Sequence, residues 1–430
     1  MRRFRLLALG LTLAGSAHAQ TNVVFWDFFA GGDGARMKQI VDSFNASQRD
    51  IKVERTTQTW GNPFYTKVHT AVVAGQTPDV MTYHLSAAPA GLQRKDLRPF
   101  SAADLALGGL KSSDFQGNLI TTLNTAAKNV GTGGLYGIPL DTHTFVLYYN
   151  KDLLKKAGVL TAGGTLAPMK SVADLTRTLQ TIKAKTGVTP IALSSNQDSA
   201  SVWRLWYSLF LQQGGALVRD GKLSTADLNT KGLAALRVMA DWSKQGLITR
   251  NVAYPAGVAL FTAGRAATML NGNWEVPTMV DAKAKGQLKF DYGIMSFPAL
   301  YGNASTWADS HMLAIPANAK APMSPEKLKA VMTFISYVNK QGGATWAGGG
   351  HIPAYLPTQR SAAFKSMQPN TQYSASSAAD ARLEPSAPIF GVGGPVYDAV
   401  GVNFTPVLLG QATPEQGIAK LTAALQSFAK

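Results

Sequence analysis

The sequence predicts an α/β protein built from two lobes, and three observations support this fold class. The chain has 430 residues, which is long for a single hydrophobic core and favours two domains. Apolar strand-like runs alternate with amphipathic helices between residues 22 and 81, an order typical of βαβ units with a parallel or mixed sheet. Residues 137–158, GIPLDTHTFVLYYNKDLLKKAG, then read as a connection, a strand and a helix. We expect the backbone to leave one lobe for the other there.

The composition is that of a folded globular protein, with 46% hydrophobic and 15% charged residues. The chain has no cysteine, which excludes disulfides, thiolate metal sites and lipid attachment through an N-terminal cysteine. The formal net charge of +16 suggests either a polyanionic partner or a scattered basic surface. Lysines and arginines occur singly or in pairs, and no nucleic-acid motif is present. We therefore favour the scattered surface and expect no nucleic-acid partner.

Residues 1–19 have the pattern of a secretory signal peptide. Arg2, Arg3 and Arg5 precede a short apolar stretch at 6–14, and Ala-His-Ala at 17–19 is a small-residue cleavage signal. The alternative is an uncleaved membrane anchor, but the apolar stretch is well short of the about 18 residues that a spanning helix needs. The pattern predicts cleavage near Ala19/Gln20 and an exported, periplasmic protein that is not a lipoprotein.

The segment that follows predicts the sheet of the first lobe. Residues 22–29 form an apolar, β-branched run, typical of a strand buried on both faces. A loop at 30–34 leads into an amphipathic helix, whose apolar face is Met37, Ile40, Val41 and Phe44. A second strand covers 51–57, a second helix starts at Asn62-Pro63 and ends at Gly75, and residues 77–81 lead into a third strand.

The crossing segment predicts a strand at 144–149, with the polar residues 141–143 just before it. Asn150 suits the N-cap of the helix that follows, and Gly158 suits its left-handed C-terminal position. Farther on, Ser171 starts a helix, and Thr413 with Gln416 forms the capping box of the last helix. The patterns between them predict strands at 190–193, 291–298 and 311–316, helices at 203–213, 229–245 and from 324, and a helix–strand segment at 261–274.

Three segments resemble the extracellular solute-binding proteins of ABC importers, in the branch that binds sugars and oligosaccharides (maltose-binding-protein-like, family 1). They are AGQTPDV at 74–80, LYYNKDLLKKAG at 147–158 and FTAGRAATMLNGNWEV at 261–276. Gly272 and Trp274 of the last segment match the Gly-x-Trp of that family. The resemblance covers essentially the whole mature chain and is weakest at 355–410.

The resemblance implies the type II fold of periplasmic binding proteins, with two α/β lobes, a ligand cleft and a hinge between them. It implies residues 20–142 and 308–345 in lobe 1, and residues 143–307 and 346–430 in lobe 2. The implied function is a substrate-binding receptor that captures a neutral mono- or oligosaccharide by hinge closure. Such a receptor delivers its ligand to the permease subunits of an ABC transporter in the membrane, and we expect it to be a monomer.

Aromatic, amide, acidic and histidine residues gather at the predicted strand ends and in the loops after them. Ligands bind outside the carboxyl ends of strands in α/β sheets. A sugar suits this mixture, because its apolar faces stack on aromatic rings and its hydroxyls pair with planar polar groups. The candidate ligand-binding residues are Trp26, Phe28, Asp33, Gln58, Trp60, His84, Asp141, His143, Asn196, Trp203, Asn273, Trp274, Trp307, Asp309 and His351.

Two other functions stay open. A glycerol-phosphate-type ester is the alternative ligand, since related receptors bind such esters and the chain is basic; arginines or helix N-termini at the cleft would favour it. A secreted carbohydrate-active enzyme needs two acids about 5–10 Å apart, and Asp27, Asp141 and Asp309 are candidates. We expect no enzyme and no cofactor, because no nucleophile or phosphate-loop motif is present. We also expect no metal site, because the histidines are widely separated along the chain.

Overall fold

The structure is a computed structural model that describes residues 20–196 and 199–428. The predicted signal peptide, residues 1–19, lies outside the described residues. The strands are β1 (Thr21–Asp27), β2 (Ile51–Thr57), β3 (Val80–His84), β4 (Ile138–Pro139), β5 (Asp141–Asn150), β6 (Thr189–Ala192), β7 (Val218–Arg219), β8 (Lys222–Leu223), β9 (Ala266–Gly272), β10 (Tyr292–Ser296), β11 (Thr306–Asp309), β12 (His311–Ala314), β13 (Ile352–Pro353) and β14 (Ala381–Leu383).

Helices cover the faces of the sheets, as expected for an α/β protein. They are α1 (Gly31–Ser47), α2 (Asn62–Ala74), α3 (Ala88–Gln93), α4 (Ala102–Leu107), α5 (Gly117–Asn129), α6 (Lys151–Ala157), α7 (Val172–Thr186), α8 (Ser199–Gln212), α9 (Thr225–Asp227), α10 (Leu233–Lys244), α11 (Tyr254–Thr262), α12 (Val276–Ala284), α13 (Pro325–Lys340), α14 (Gly343–Ala347), α15 (Leu356–Arg360), α16 (Ala362–Lys365), α17 (Ser374–Asp380), α18 (Pro395–Leu408) and α19 (Pro414–Phe428).

Two sheets organise the molecule, and each belongs to one lobe. The first sheet has the strand order β2-β1-β3-β12-β4, in which β1 is parallel to β2 and β3 while β12 is antiparallel to β3. The second sheet has the order β14-β11-β5-β9-β6, and β10 and β13 also pair with β5. The long strand β5 is therefore the centre of the second sheet, and every residue in it is buried.

The backbone passes between the two sheets at three places. It leaves the first sheet after β4 and enters the second sheet at β5, with Leu140 between them. It returns between β11 and β12, with Ser310 between them. After α13 and α14 it passes to β13, which pairs with the start of β5 at Thr142 and Asp141. All three crossings lie side by side at the beginning of β5.

The predicted helix ends agree with the structure where capping residues define them. Asn150 and Ser171 accept hydrogen bonds from the backbone three residues on, and Gly158 ends its helix at φ 73°. The predicted limits of β5 are wrong at its start, because the strand begins at Asp141 and not at Thr144. Pairing with β13 and β11 extends the strand backwards, so the polar residues 141–143 lie within the sheet.

Within the described ranges, no helix has both the length and the apolar character needed to cross a bilayer.

Candidate ligand-binding cleft

A cavity of about 480 Å³ lies where the ends of β1, β3 and β12 face residues from the second lobe. Its size falls in the range of roughly 300–1,000 Å³ that is typical of small-molecule sites. Six of the predicted site residues border it. The lining residues are Phe28, Phe29, Ala30, Gly31, Gly32, Asp33, Trp60, His84, His143, Arg204, Tyr254, Trp274, Glu275, Thr278 and His311.

The wall from the first lobe is aromatic. Phe28 stacks flat on the imidazole of His84, with 4.5 Å between ring centroids and 5° between ring planes. Trp60 follows in the loop after β2, stays 44% exposed and presents its ring edge-on to His84 at 6.2 Å. The hydroxyl of Tyr65 lies 2.5 Å from Nδ1 of His84, and burial holds the pKa of that phenol well above its usual value. This hydrogen bond holds the imidazole of His84 in place beside the cavity.

The wall from the second lobe combines an aromatic face with a short hydrogen-bond chain. The 3₁₀ turn Asn273–Glu275, directly after β9, carries Trp274 and Glu275. The indole N–H of Trp274 donates to the hydroxyl of Tyr254 at 2.8 Å, and that hydroxyl donates to Oε1 of Glu275 at 2.5 Å. Burial raises the pKa of the Glu275 carboxyl, with the nearby Asp33 adding to the effect. These two hydrogen bonds fix the orientation of the Trp274 and Tyr254 rings at the edge of the cavity.

Arg204 is the cation that faces the cavity from α8. Its guanidinium lies between two indoles, 4.6 Å from the ring centroid of Trp274 and 4.4 Å from that of Trp307. The side chain is buried, and its Nε has no hydrogen-bond partner among the residues that the structure describes. Stacking on aromatic faces stabilises a guanidinium while leaving its in-plane N–H groups available. The arrangement offers a planar, charged hydrogen-bond donor to a ligand.

A buried hydrogen-bond network centred on Asp141 underlies the floor of the cavity. Its Oδ1 lies 3.0 Å from Nδ1 of His143, and its Oδ2 lies 2.8 Å from Nδ1 of His311 and accepts from Nε1 of Trp346 at 2.7 Å. Nδ1 of His351 lies 3.3 Å from the same Oδ2. These side chains come from all three crossings between the lobes, so the network belongs to the hinge.

The electrostatics of this network are dominated by burial and by the close charges. The pKa of Asp141 lies well below its usual value. Burial by itself would raise this pKa, but the charges of His311 and His351 and the hydrogen bonds from the imidazoles lower it by more. Burial, followed by the charge of His311, lowers the pKa of His143 to about 3. Burial also raises the pKa of Asp309 to about 7. At neutral pH, Asp141 is therefore a carboxylate and His143 is uncharged.

Asp33 and His351 connect the cavity to the network below it. Asp33 borders the cavity at the start of α1, and its Oδ1 lies 3.0 Å from Nε2 of His351. Burial lowers the pKa of His351, but the charges of Asp33 and Asp141 outweigh burial and raise it overall. His351 also stacks flat on Trp346, with 4.5 Å between ring centroids. It is thus a buried link between a first-lobe loop and the hinge.

Several predicted site residues do not line the cavity and are engaged with other groups. The indoles of Trp203 and Trp307 both donate to Oε1 of Glu384 and are fully buried. Asp309 accepts from the backbone and the hydroxyl of Ser86. Hydrogen bonding to buried partners satisfies these side chains inside the lobes, so they shape the cleft without lining it.

Four more predicted residues do not border the cavity. Asn273 accepts from the backbone of Thr144 and donates to the carbonyl of Gly350, which ties β5 to the third crossing. The remaining three lie at the rim of their sheets: Trp26 lies under the ammonium of Lys67, Gln58 accepts from Lys67, and the backbone N–H of Asn196 donates to Val252. None of these four side chains is among the described residues that line the cavity.

The sequence interpretation missed Tyr254 and Glu275 as cleft residues. Tyr254 begins α11 and is distant in sequence from any predicted strand end, so no local pattern marks it. Glu275 directly follows Trp274, and its place beside a predicted binding-loop tryptophan was the available signal. His311, the first residue of β12, also borders the cavity and is not among the candidates that the sequence suggested.

Two α/β lobes, three adjacent crossings and a ligand-sized cavity at the hinge define a two-lobed binding protein. The profile of the family described as bacterial extracellular solute-binding protein matches residues 39–373. The chain belongs to this family.

Solved structures share this fold over nearly the whole chain. MalE3 of T. maritima with maltose bound is 19% identical and has a TM-score of 0.79, covering 95% of this chain and 100% of that one. The GacH receptor of Streptomyces glaucescens, whose structures include complexes with acarbose, is 19% identical with a TM-score of 0.78, covering 95% and 98%. The predicted type II periplasmic-binding-protein fold is confirmed.

The curated relatives match a smaller part of this chain than the solved structures do. The sn-glycerol-3-phosphate-binding periplasmic protein UgpB of Escherichia coli K12 is 31% identical over 157 residues, which are 36% of this chain and 34% of that protein. The corresponding protein of Shigella flexneri matches over the same share. The match thus spans about a third of the length of these relatives.

Proposed function

We propose that the chain is the substrate-binding receptor of an ABC importer and captures a neutral mono- or oligosaccharide in the cleft between its lobes. The observation that carries the proposal is the pair of aromatic residues, Trp60 and Trp274, that border one cavity from opposite lobes. Polar groups accompany them on both walls, including His84, Tyr254 and Glu275. Aromatic faces bind the apolar faces of a pyranose, and the polar groups pair with its hydroxyls.

Capture takes place by hinge closure, since ligand contacts from both lobes stabilise the closed arrangement. The proposed lobes are residues 20–142 with 308–345 and residues 143–307 with 346–430. The first two of these boundaries fall within three residues of the crossings at Leu140 and Ser310. Export by the signal peptide at 1–19 brings the receptor to the periplasm, where permease subunits in the membrane accept the ligand from the closed form. MalE3 and GacH, which share the fold, are described with maltose and acarbose.

Binding without chemical conversion is part of the proposal. The three acids that the sequence suggested for catalysis are engaged: Asp27 pairs with Arg55, Asp141 holds the histidine network, and Asp309 binds Ser86. The acids at the cavity, Asp33 and Glu275, each have a hydrogen-bond partner in the protein. Release of nitrophenol from a panel of chromogenic glycosides would contradict this part of the proposal.

A glycerol-phosphate-type ester is the second candidate ligand, because one observation favours it. Arg204 presents a buried guanidinium to the cavity, and its Nε has no partner within residues 20–196 and 199–428. Guanidinium groups bind phosphate oxygens in a bidentate way. The N-terminus of α1, at Gly31 and Gly32, also borders the cavity, and helix N-termini favour anions. The relative UgpB is named for binding sn-glycerol 3-phosphate.

Thermal melting of the chain from Gln20 onward, against mono-, di- and trisaccharides and glycerol phosphates, separates the two ligands. A ligand at a hundredfold excess over its Kd stabilises the folded state by about 2.7 kcal/mol. We expect the melting temperature to rise with a neutral sugar, and the rise to persist in part in Arg204→Gln. A rise only with phosphates that Arg204→Gln abolishes would establish the second candidate. No rise with any compound would contradict both.

A further inference from the structure

Four histidines that are far apart in sequence meet in the hinge. His143 lies on β5, His311 on β12 and His351 just before β13, and their Nδ1 atoms lie 3.0, 2.8 and 3.3 Å from the carboxylate oxygens of Asp141. His84 is the next neighbour, with 5.0 Å between its ring centroid and that of His311. The sequence has no local metal-binding motif, but the fold brings possible metal ligands from distant segments together.

We propose that Asp141, His143, His311 and His351 form a binding site for one Zn²⁺ ion. The site goes beyond the proposed capture of a sugar and does not depend on it. Three imidazole nitrogens and one carboxylate oxygen are a ligand set that zinc prefers. All four residues are buried, and their candidate ligand atoms lie within 4.8 Å of one another.

The candidate ligand atoms are close enough together to surround one ion, since they all lie within 4.8 Å of one another. Bonds of about 2.0–2.1 Å place the ligand atoms of a tetrahedral zinc ion roughly 3.3 Å apart. Oδ2 of Asp141 lies 2.8 Å from Nδ1 of His311 and 3.3 Å from Nδ1 of His351, which is near that separation. Nδ1 of His143 lies 3.0 Å from the other oxygen, Oδ1. His143 and His311 also border the cavity, which supplies a path for the ion from solvent.

An unpaired nitrogen supports the site independently. Nδ1 of His351 is fully buried and has no hydrogen-bond partner within the described part of the chain, since its approach to Asp141 lacks hydrogen-bond geometry. A buried polar atom without a partner costs about 1–3 kcal/mol. A metal ion bound between this nitrogen and the Asp141 carboxylate would remove that cost, because the lone pair of Nδ1 would become a ligand.

The groups around the four residues also match what surrounds a metal site. Metal-binding histidines commonly donate their second N–H to a carboxylate, which orients the ring. Nε2 of His351 lies 3.0 Å from Oδ1 of Asp33, so this relation is present. The Asp141 carboxylate in turn accepts from Nε1 of Trp346 at 2.7 Å and from the backbone N–H of His311 at 3.1 Å.

A second group of possible ligands, His84, His143 and Asp309, is less suited to an ion. It offers three ligands where the Asp141 group offers four. Nδ1 of His84 is also paired already, with the hydroxyl of Tyr65 at 2.5 Å. We therefore assign the ion to the Asp141 group.

The position of the site gives the ion a structural consequence. Asp141 and His143 belong to the first crossing between the lobes, His311 to the second and His351 to the third. One ion would join all three crossings directly beneath the ligand cavity. Coordination through Nδ1 would also keep Nε2 of His143 and His311 as N–H groups, so these rings would present fixed donors.

Zinc titration of the untagged chain from Gln20 onward, stripped with EDTA, tests the proposal. We expect one equivalent of Zn²⁺ to bind by calorimetry with a submicromolar Kd, and the melting temperature to rise with zinc and fall back on chelation. Co²⁺ in place of Zn²⁺ should give the intense visible absorption of a tetrahedral site. Failure of the wild-type chain to bind one equivalent of either ion would overturn the proposal.

Matched variants locate the ion. His351→Ala should weaken zinc binding more than 100-fold, and Asp33→Asn, which removes the partner of His351, about 10- to 100-fold. His69→Ala is the control, because His69 lies on α2 and pairs with Asp96 away from the hinge. Unchanged zinc affinity in His351→Ala, with circular dichroism showing a folded chain, would place the ion elsewhere and overturn the proposal. Equal losses in His69→Ala would do the same.

Discussion

Replacing Trp60 with alanine removes an aromatic face that borders the cavity and yet remains 44% exposed. A tryptophan side chain offers roughly 150–250 Å² for burial, so about 70–110 Å² of Trp60 is available to a ligand. At about 25 cal/mol per Å², covering all of it contributes ~1.7–2.8 kcal/mol, which is roughly 20- to 100-fold in Kd. A sugar stacked on one face covers about half, which sets the lower limit near fivefold.

Calorimetric titration with the sugar found by thermal melting measures this loss. We expect Trp60→Ala to raise the Kd by about 5- to 100-fold, and Trp60→Phe, which keeps a smaller face, to raise it less. Leu107→Ala is the matched control, because Leu107 has the same exposed fraction, 44%, and lies on α4 outside the cavity lining. Its Kd should equal that of the wild type.

The stability of the Trp60 variant separates binding from folding. A side chain that is 44% exposed contributes little to folding, so we expect the free energy of unfolding to change by less than about 1 kcal/mol. A Kd within twofold of the wild type would refute the role of Trp60 as a stacking surface. Equal losses of affinity in Trp60→Ala and Leu107→Ala would refute the argument from the cavity.

Three further substitutions test the framework around the cleft. Glu384→Ala leaves two indole N–H groups, a phenol and a backbone N–H without their acceptor. Urea unfolding should show that the free energy of unfolding falls by about 4 kcal/mol or more, and by less in Glu384→Gln. A β-carbon on Gly32 would overlap Pro277 of the other lobe. Gly32→Ala should therefore enlarge the radius of gyration measured by X-ray scattering. Gly133→Ala is the control and should leave it unchanged, because the space around Gly133 is open. Asn150→Ala removes the cap on the N–H of Leu153 and should cost about 1 kcal/mol of stability, most of which Asn150→Asp should retain.

Local physical chemistry explains why helices and their ends could be predicted. The apolar face Met37, Ile40, Val41 and Phe44 is buried as its spacing indicated. The capping box of Thr413 and Gln416 forms both of its hydrogen bonds. These features depend on residues within a turn or two of one another, so a single sequence contains all the information they need.

Contacts between distant segments could not be predicted in the same way. Trp203 is a plausible ligand residue by type, but whether it is buried depends on Glu384, which lies in the part of the chain where the resemblance is weakest. The carboxylate of Asp141 is the centre of a histidine network only because three crossings meet there. The sequence offered both residues as candidates by type and position, and could not assign their partners.

Strand register accounts for the histidine cluster once the sheets are known. His311 lies directly opposite His84 in the pairing of β12 with β3, and Asp309 lies opposite His143 in the pairing of β11 with β5. Asp141 and His143 are two residues apart on β5, which puts both side chains on the same face of the strand. A shift of one residue in any of these pairings would turn the side chains to the opposite face. The cluster and the cavity floor are therefore set by the same strand pairings that connect the lobes, so a change in the hinge must also change the groups that meet the ligand.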